Sequence, residues 1–342
     1  MEFKSILVRM PNWVGDLVMA TPVLSDLRRA FPKASITAMC RTPLSELLKE
    51  DGAINELFRF TPPLSSFLRR EELRDIIAKI RGGQFDLGVL LPNSFSSAWW
   101  FWQGGVKRRL GYASHFRSLL LTDPVPFPKE RGKEHLVTTY KRVLGPLGIP
   151  VSDTRPRLYV SDREIEVSKE LLYQRGYKRG QMLIGINPGA AYGSAKCWPP
   201  ERYRALAKRL LERSDAAIVF FGDASSFQMV KEICQGLPER VMNLAGVTNL
   251  RELASLIKDC NVFVTNDSGP MHIADAFGVK IVALFGSTDE CVTGPFGQPE
   301  AVINKKASCS PCFKRVCPID FRCMKEIDVE EVAEKALELI RV

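Results

Sequence analysis

Several motifs that define common classes of nucleotide-binding protein are missing from these 342 residues. The first apolar run is not followed by Gly-x-Gly-x-x-Gly, the phosphate-binding turn of many dehydrogenases, and the chain has no Walker lysine motif. It also has no Asp-x-Asp, so it lacks the metal–diphosphate clamp of many sugar transferases. These absences argue against a dehydrogenase and against a metal clamp of that kind.

Long apolar segments are absent as well. No apolar run reaches the roughly 18–20 residues that a helix needs to span a bilayer. Residues 1–5 lead directly into the strand-like run Ile6-Leu7-Val8, without the basic region, apolar segment and cleavage site of a signal peptide. We therefore expect a cytoplasmic protein.

The chain carries an excess of positive charge, with 48 Lys and Arg against 39 Asp and Glu and a net charge of +9. This charge favours an acidic partner, such as nucleic acid, a phosphorylated substrate or an anionic membrane surface. Because the charge is spread over both halves and no helix-turn-helix, RRM or KH signature occurs, we expect no nucleic-acid partner. A zinc-bearing nucleic-acid-binding protein is the less favoured alternative.

Four of the nine cysteines lie together near the C-terminus, with the spacing C-x2-C-x4-C-x5-C. They are Cys309, Cys312, Cys317 and Cys323. The first spacing is that of a metal knuckle, and four thiolates could hold zinc tetrahedrally. The loops are shorter than in zinc ribbons, so we favour a reduced or disulfide-linked loop. We therefore expect no metal and no cofactor.

Apolar runs and amphipathic helices alternate along the chain. Residues 86–91, for example, are apolar almost without interruption, as the buried strands of parallel sheets are. This alternation predicts doubly wound parallel sheets, and it restarts after a proline-rich stretch. We expect two Rossmann-like domains facing a central cleft, residues 1–165 and 175–326. Residues 327–342 form a final helix that could pack back on the N-terminal domain. The arrangement suggests the GT-B class of glycosyltransferases.

A polar turn at residues 265–272 lies between a strand-like run at 260–264 and a short helix at 273–278. In an open α/β sheet, such a turn presents backbone N–H groups and the positive end of a helix dipole to an anion, for example a diphosphate. Side-chain groups of Asp267 and His272 lie at the same place. The alternative interpretation is that Asp267 or the next residue, a serine, only caps the helix.

An aromatic run and a basic region follow the strand at 86–91. The four large rings of Trp99-Trp100-Phe101-Trp102 cannot all face one side of a helix. We expect mainly core positions, with at least one ring available to a ligand, a lipid or the other domain. Lys107-Arg108-Arg109 and His115-Phe116-Arg117 form the basic region. It is either a solvated face or a phosphate-binding patch on the acceptor side.

Three motifs occur in an order and spacing that resemble glycosyltransferase family 9. They are residues 11–22, beginning Pro11-Asn12-Trp13, residues 187–190 with the following Lys196 and Trp198-Pro199, and residues 267–272. The resemblance covers about residues 6–340. It implies a cytoplasmic, inverting heptosyltransferase that is peripheral to the inner membrane and contacts its surface transiently. The implied donor is ADP-L-glycero-D-manno-heptose, and the implied acceptor is Kdo-lipid A bearing the first heptose of the lipopolysaccharide inner core.

The resemblance also implies roles for individual residues. Asp16 matches the general base of the family, and Lys196 matches the lysine that contacts the donor diphosphate. The other residues expected to bind the donor are Ser194, Asp223, Asp267, Ser268, Gly269 and His272. The residues expected to bind the acceptor are Asn12, Trp13, Asn93, Ser94, Arg109 and Arg117.

These residue types fit the implied reaction. Inversion is a single displacement, so one base takes the proton of the acceptor hydroxyl as the anomeric carbon is attacked. Lys196 and the helix after Gly269 could stabilise the departing ADP. Simpler interpretations remain open: Asp16 caps a helix, Lys196 is a surface lysine, and His272 is a hydrogen-bonded histidine at a helix start. A related family 9 enzyme with another nucleotide sugar or acceptor is the alternative function.

Overall fold

The computed structural model describes residues 2–61, 69–128 and 132–341. It divides into two units, Met1–Tyr159 and Val160–Val342. Each unit contains one six-stranded parallel sheet with helices between the strands. Within the described residues, no helix is both long and apolar enough to cross a membrane.

The first unit is built from short strands and four α-helices. Its strands are β1 (Ser5–Arg9), β2 (Ser35–Arg41), β3 (Glu56–Phe60), β4 (Leu87–Leu90), β5 (Arg108–Tyr112) and β6 (Asp123–Val125). Its helices are α1 (Val14–Ala30), α2 (Arg69–Gly82), α3 (Phe95–Gln103) and α4 (Leu136–Arg142). The strand order is β3-β2-β1-β4-β5-β6, so the direction of winding reverses between β1 and β4. Ligands of such sheets bind outside the carboxyl ends of the strands at this point.

The second unit repeats this plan with more helices. Its strands are β7 (Leu183–Asn187), β8 (Ala217–Phe220), β9 (Val241–Asn243), β10 (Val262–Asn266), β11 (Lys280–Phe285) and β12 (Val302–Asn304). Its helices are α5 (Asp162–Tyr173), α6 (Pro200–Arg213), α7 (Phe227–Cys234), α8 (Leu250–Asp259), α9 (Gly269–Phe277), α10 (Glu290–Thr293), α11 (Arg322–Lys325) and α12 (Val329–Arg341). The strand order is β12-β11-β10-β7-β8-β9, which places the reversal between β10 and β7.

The prediction of two doubly wound parallel sheets is confirmed. The central strands are buried, apart from the partly exposed Ser5 at the start of β1, because α-helices cover both faces of a parallel sheet. The sequence analysis did not predict β5, because its first residues, Arg108 and Arg109, look like a solvated basic face. Arg108 instead forms an ion pair with Asp123 of the neighbouring β6, with 2.7 Å between Nη2 and Oδ1.

The second unit begins at Val160, within the range that the sequence analysis gave to the first domain. Ser161 and Glu164 form a reciprocal capping box at the start of α5. Glu164 also pairs with Arg251 of α8, with Nε 2.7 Å from Oε1, and α5 packs against α8. These contacts assign α5 to the second unit, whereas the sequence placed the second domain's start near residue 175.

The C-terminal helix α12 packs against α6, β10 and β11 of the second unit. Its apolar face, which includes Val332 and Ala336, belongs to the same buried core as Trp198 and Leu206. The core of the second unit therefore buries the apolar face of α12.

The aromatic run of α3 divides between the core and the surface. Phe101 is fully buried, whereas Trp102 is 47% exposed. Trp100 packs edge-on against Phe60, with ring centroids 5.6 Å apart. The expected mixture of core and accessible rings is therefore present, with Trp102 the most accessible member of the run.

Candidate functional site

The predicted donor residues of the second unit follow three neighbouring strands. Asp267 follows β10, the loop that carries Lys196 follows β7, and Asp223 comes three residues after β8. Since the strands are parallel, these groups lie at one edge of the sheet. The packing there is close, because a Cβ atom added to Gly189 would lie 3.0 Å from Oγ of Ser226.

Asp267 is the centre of a buried polar cluster. Its carboxylate oxygen Oδ2 forms an ion pair with the ammonium of Lys196, whose side chain is 12% exposed. The same oxygen accepts hydrogen bonds from the hydroxyls of Thr288, at 2.6 Å, and Thr293, at 3.4 Å. Lys196 is therefore not a solvated surface lysine. The sequence analysis missed both threonines, although Thr288 follows β11, the neighbour of β10, by only three residues.

Asn266, the last residue of β10, joins the Lys196 loop to the sheet. Its side chain is fully buried. Its Oδ1 accepts hydrogen bonds from the backbone N–H of Trp198, at 3.1 Å, and from the hydroxyl of Tyr203, at 2.7 Å. Its Nδ2 donates to the carbonyl oxygen of Pro188, at 2.7 Å. Both ends of the loop are therefore held by one amide group, which the sequence analysis did not identify.

The segment that carries the clustered cysteines supports the Lys196 loop from the other side. The hydroxyl of Tyr192 donates to the carbonyl oxygen of Phe313, at 2.8 Å. The backbone N–H of Ala195 donates to the carbonyl oxygen of Arg315, at 3.0 Å. The Lys196 ammonium and the Arg315 guanidinium lie 4.8 and 5.4 Å from the centre of the Tyr192 ring. Two cations therefore contact one aromatic ring, an arrangement that favours both.

The first turn of α9 has no side-chain cap, which corrects the interpretation of Asp267 or Ser268 as a cap. Ser268 is the N-cap residue, but its hydroxyl makes no capping hydrogen bond. Its Oγ instead accepts from Nδ2 of Asn187, at 3.2 Å, and lies 3.1 Å from Oγ1 of Thr265. Gly269 begins the helix, and His272 is buried in its first turn. The uncapped turn has the polarity to attract an anion.

The side chain of Asp223 caps the short turn that follows it, Ala224–Ser226. Its Oδ1 accepts hydrogen bonds from the hydroxyl of Ser225, at 2.6 Å, and from the N–H of Ser226, at 3.0 Å. Burial alone would raise the pKa of Asp223, but these hydrogen bonds outweigh burial and lower it. The residue is therefore a carboxylate at neutral pH. Ser194 is exposed at the start of the turn that leads to Lys196.

In the first unit, Asp16 lies in the first turn of α1 and is half-buried. The N-cap position is Trp13, whose side chain makes no capping hydrogen bond. Asp16 is therefore not the N-cap that the simpler interpretation assumed. Its Oδ1 accepts a hydrogen bond from the hydroxyl of Tyr140 of α4, at 2.7 Å. The sequence contains no local signal for this contact, because the residues lie 124 positions apart.

Asn12 and Trp13 lie in the turn between β1 and α1, and both are exposed. Nη2 of Arg9 donates to Oδ1 of Asn12, at 2.6 Å. The Arg9 guanidinium is buried and lies 4.5 Å from the centre of the Phe60 ring. Burial lowers the pKa of Arg9 to about 10, so it remains charged at neutral pH. A buried cation thus orients the Asn12 amide.

Asn93 and Ser94 follow β4, the neighbour of β1, at the same sheet edge. Ser94 caps α3, and its Oγ accepts from the N–H of Ser97 at 3.3 Å. Nη1 of Arg117 donates to the carbonyl oxygen of Pro92, at 2.7 Å, and lies 3.4 Å from Oδ1 of Asn93. The structure therefore brings Asn12, Asn93 and Ser94 to neighbouring strand ends.

Two arginines of the expected basic region, Arg109 and Arg117, turn inward, whereas Lys107 is exposed. Arg117 is fully buried, and burial lowers its pKa to about 10. The Arg109 guanidinium donates to the carbonyl oxygens of Leu120, at 2.7 Å, and Val106, at 2.5 Å. Both arginines therefore hold backbone segments inside the first unit. The full burial of Arg117 argues against a direct phosphate contact, whereas the acceptor role of the half-buried Arg109 stays a prediction.

The four clustered cysteines are free thiols. Burial, and then the neighbouring thiols, raise the pKa of Cys323 to about 11. Within the described ranges, one group of three side chains that could bind a metal ion has its ligand atoms within 4.8 Å of one another. This group lies outside the cysteine cluster. It comprises Asp289, Glu290 and Cys291. The four clustered cysteines are not members of that group.

Comparison with known proteins identifies the class of this chain. Residues 73–321 match the family model described as Glycosyltransferase family 9 (heptosyltransferase). The two parallel sheets and their polar strand ends are those of a GT-B type glycosyltransferase. The chain belongs to glycosyltransferase family 9. The resemblance found in the sequence and the expected enzyme class are confirmed.

Individual relatives agree with this assignment. The chain is 33% identical over 315 residues to lipooligosaccharide heptosyltransferase 2 of Haemophilus ducreyi, covering 87% of this chain and 88% of the relative. It is 32% identical over 308 residues to lipopolysaccharide heptosyltransferase 2 of Escherichia coli K12, covering 87% of both. The solved structure of E. coli ADP-heptose LPS heptosyltransferase II matches with a TM-score of 0.84 and 29% identity, covering 100% of this chain and 99% of that chain.

Proposed function

We propose that this chain transfers heptose from ADP-L-glycero-D-manno-heptose onto the first heptose of the lipopolysaccharide inner core. The membership in family 9 and the names of its heptosyltransferase 2 relatives support this donor and acceptor. The single observation that carries the proposal is the Lys196–Asp267 pair beside the uncapped start of α9. That arrangement suits the diphosphate of a nucleotide sugar.

On the donor side, the diphosphate lies against the first turn of α9, which begins at Gly269. The N–H groups of that turn and the ammonium of Lys196 stabilise the charge that develops on departing ADP. Asp267 and Thr288 hold the lysine in place. Further donor contacts in this proposal come from Ser194, Asp223, Ser268 and His272.

On the acceptor side, Asp16 acts as the general base. Its carboxylate takes the proton of the acceptor hydroxyl, and the resulting oxygen attacks the anomeric carbon. The bond from that carbon to the diphosphate oxygen breaks on the opposite face, so the anomeric configuration inverts. Asn12, Trp13, Asn93 and Ser94 lie at the ends of β1 and β4 and provide acceptor contacts. In this proposal, the first unit binds the acceptor and the second binds the nucleotide sugar.

The acceptor is anchored to a lipid, so we place the enzyme in the cytoplasm, at the inner-membrane surface. A short turn of the first unit, His115–Leu120, supports this placement. It exposes Phe116 to 80% and Leu119 to 84%. The turn packs on α3, the helix that Ser94 caps. Large exposed apolar side chains favour contact with the boundary between lipid headgroups and acyl chains.

Transfer can be tested with purified protein, ADP-heptose and heptosylated Kdo-lipid A, followed by mass spectrometry of the lipid product. We expect addition of one heptose, with an inverted anomeric centre by NMR. Absence of transfer, or transfer only with another nucleotide sugar or acceptor, would refute the assignment and favour a different family 9 activity.

A further inference from the structure

Tyr140 contacts the candidate base directly. Its hydroxyl donates a hydrogen bond to Oδ1 of Asp16, at 2.7 Å. Asp16 lies on α1 and Tyr140 on α4, and the two helices pack together. The contact is therefore part of the helix interface and not a chance approach of two exposed side chains.

Other contacts fix α4 relative to α1, so the Tyr140 hydroxyl has a defined position. The buried ammonium of Lys141 donates to the carbonyl oxygens of Ser152, at 2.9 Å, and Thr154. The hydroxyls of the same two residues donate to the carboxylate of Asp26 on α1, at 2.7 and 3.1 Å. Ser152 and Thr154 thereby connect the two helices through partly buried, hydrogen-bonded polar groups, which restrict movement of α4 relative to α1.

We propose that Tyr140 is a positioning residue for Asp16, an inference that rests on the proposed role of Asp16 as general base. The terminal torsion of an aspartate is broad and roughly two-fold, so an unrestrained carboxylate samples many orientations. A hydrogen bond to one oxygen restricts this rotation and sets the direction from which the carboxylate receives the acceptor proton.

The phenol is suited to this role because it remains a donor. Burial, and then the negative charge of Asp16, raise the pKa of Tyr140 well above its usual value. Tyr140 therefore does not lose its own proton in the neutral range. It donates a hydrogen bond to the base without competing for the proton of the acceptor hydroxyl.

Tyr140→Phe removes the hydroxyl and keeps the ring. Because hydrogen bonds to charged groups are the stronger ones, we expect kcat to fall by about 10- to 100-fold. We expect KM for the acceptor and Kd for ADP to stay within about twofold, because the effect is confined to the chemical step. The matched control is Tyr112→Phe, which removes a hydroxyl bonded to the carbonyl of Thr139 on the same helix.

A second measurement is independent of donor and acceptor. The carboxyl carbon of Asp16 can be observed by NMR in protein labelled with ¹³C-aspartate and assigned by its loss in Asp16→Asn. We expect Tyr140→Phe to shift this resonance and Tyr112→Phe to leave it unchanged. An unchanged resonance in Tyr140→Phe overturns the proposal, whether or not the substrates are correct.

Asp16→Asn in the same assay separates the two hypotheses. If it retains turnover, the base assignment fails, and catalytic positioning by Tyr140 fails with it. If it is inactive while Tyr140→Phe and Tyr112→Phe have equal kcat values, the base assignment stands and the role of Tyr140 is overturned. A loss of kcat in Tyr140→Phe alone, with unchanged KM, supports the proposal.

Discussion

Replacing Gly193 by alanine tests whether the cysteine-bearing segment holds the Lys196 loop in place. Gly193 has a φ of +155°, and a Cβ atom added there would overlap the carbonyl oxygen of Arg315. The same oxygen accepts the hydrogen bond from Ala195 at 3.0 Å. The carbonyl therefore cannot move away without losing that bond.

The cost of the substitution has two parts. An alanine in this region of backbone space costs about 1–3 kcal/mol, and the lost hydrogen bond costs about 1 kcal/mol. A total of about 2–4 kcal/mol lowers the melting temperature of a unit of this size by roughly 5–15 °C. Because the displaced turn carries Lys196, we also expect the Kd for ADP to rise about tenfold, which corresponds to about 1.4 kcal/mol.

The control is Gly176→Ala. Gly176 has a φ of +88°, and a Cβ atom there would meet nothing within 4 Å, so this variant reports backbone strain alone. Calorimetric melting and ADP titration of both variants give the comparison. If Gly193→Ala has the same melting temperature as Gly176→Ala and the same Kd for ADP, the contact with Arg315 does not position the loop. That result would refute the reasoning.

Three further predictions concern single groups. Asn266→Asp replaces the amide that donates to Pro188, so we expect about 1–3 kcal/mol less stability in urea denaturation; an unchanged midpoint contradicts it. Lys196→Ala is expected to raise the calorimetric Kd for ADP at least about tenfold, and unaltered affinity removes the lysine from the site. Hydrogen bonds from Arg251 lower the pKa of Glu164 from 4.5 to about 2. Because the folded value is the lower one, this stabilisation is present above pH 4.5 and is lost as pH falls toward 2. Arg251→Gln is expected to flatten the pH dependence of unfolding in that window, and an unaltered slope contradicts the prediction.

The fold could be read from the sequence wherever the local pattern matches the environment. Buried parallel strands are continuous apolar runs, and β4 and the first three residues of β10 are of this kind. β5 was missed because Arg108 and Arg109 contribute charge to a strand. Two of their partners, Asp123 and Leu120, lie 15 and 11 residues further on. Contacts of this kind depend on which residues are close in the folded chain, and the spacing of apolar residues in the sequence does not show this.

The candidate site could also be predicted only in part from the sequence. The strand-end pattern predicted the turn that carries Asp267, because ligand groups gather at the carboxyl edge of a parallel sheet. The roles of Lys196 and Asp223 came from the resemblance to family 9 and stay predictions. The residues that hold these groups were not predictable, since they come from distant segments. Arg315 supports the Lys196 loop from a turn more than a hundred residues away, and Tyr140 reaches Asp16 over 124 positions.

The charges in the two units differ in a way that fits their proposed ligands. Lys196 and Asp267 form an ion pair with no net charge, so a diphosphate there is attracted mainly by the directed N–H groups of α9. In the first unit, the guanidinium groups of Arg9 and Arg117 donate to neutral carbonyl and amide oxygens. With pKa values of about 10, both remain charged at neutral pH and leave positive charge behind the ends of β1 and β4. We therefore infer that the donor is selected by geometry, whereas an anionic acceptor is also attracted by charge.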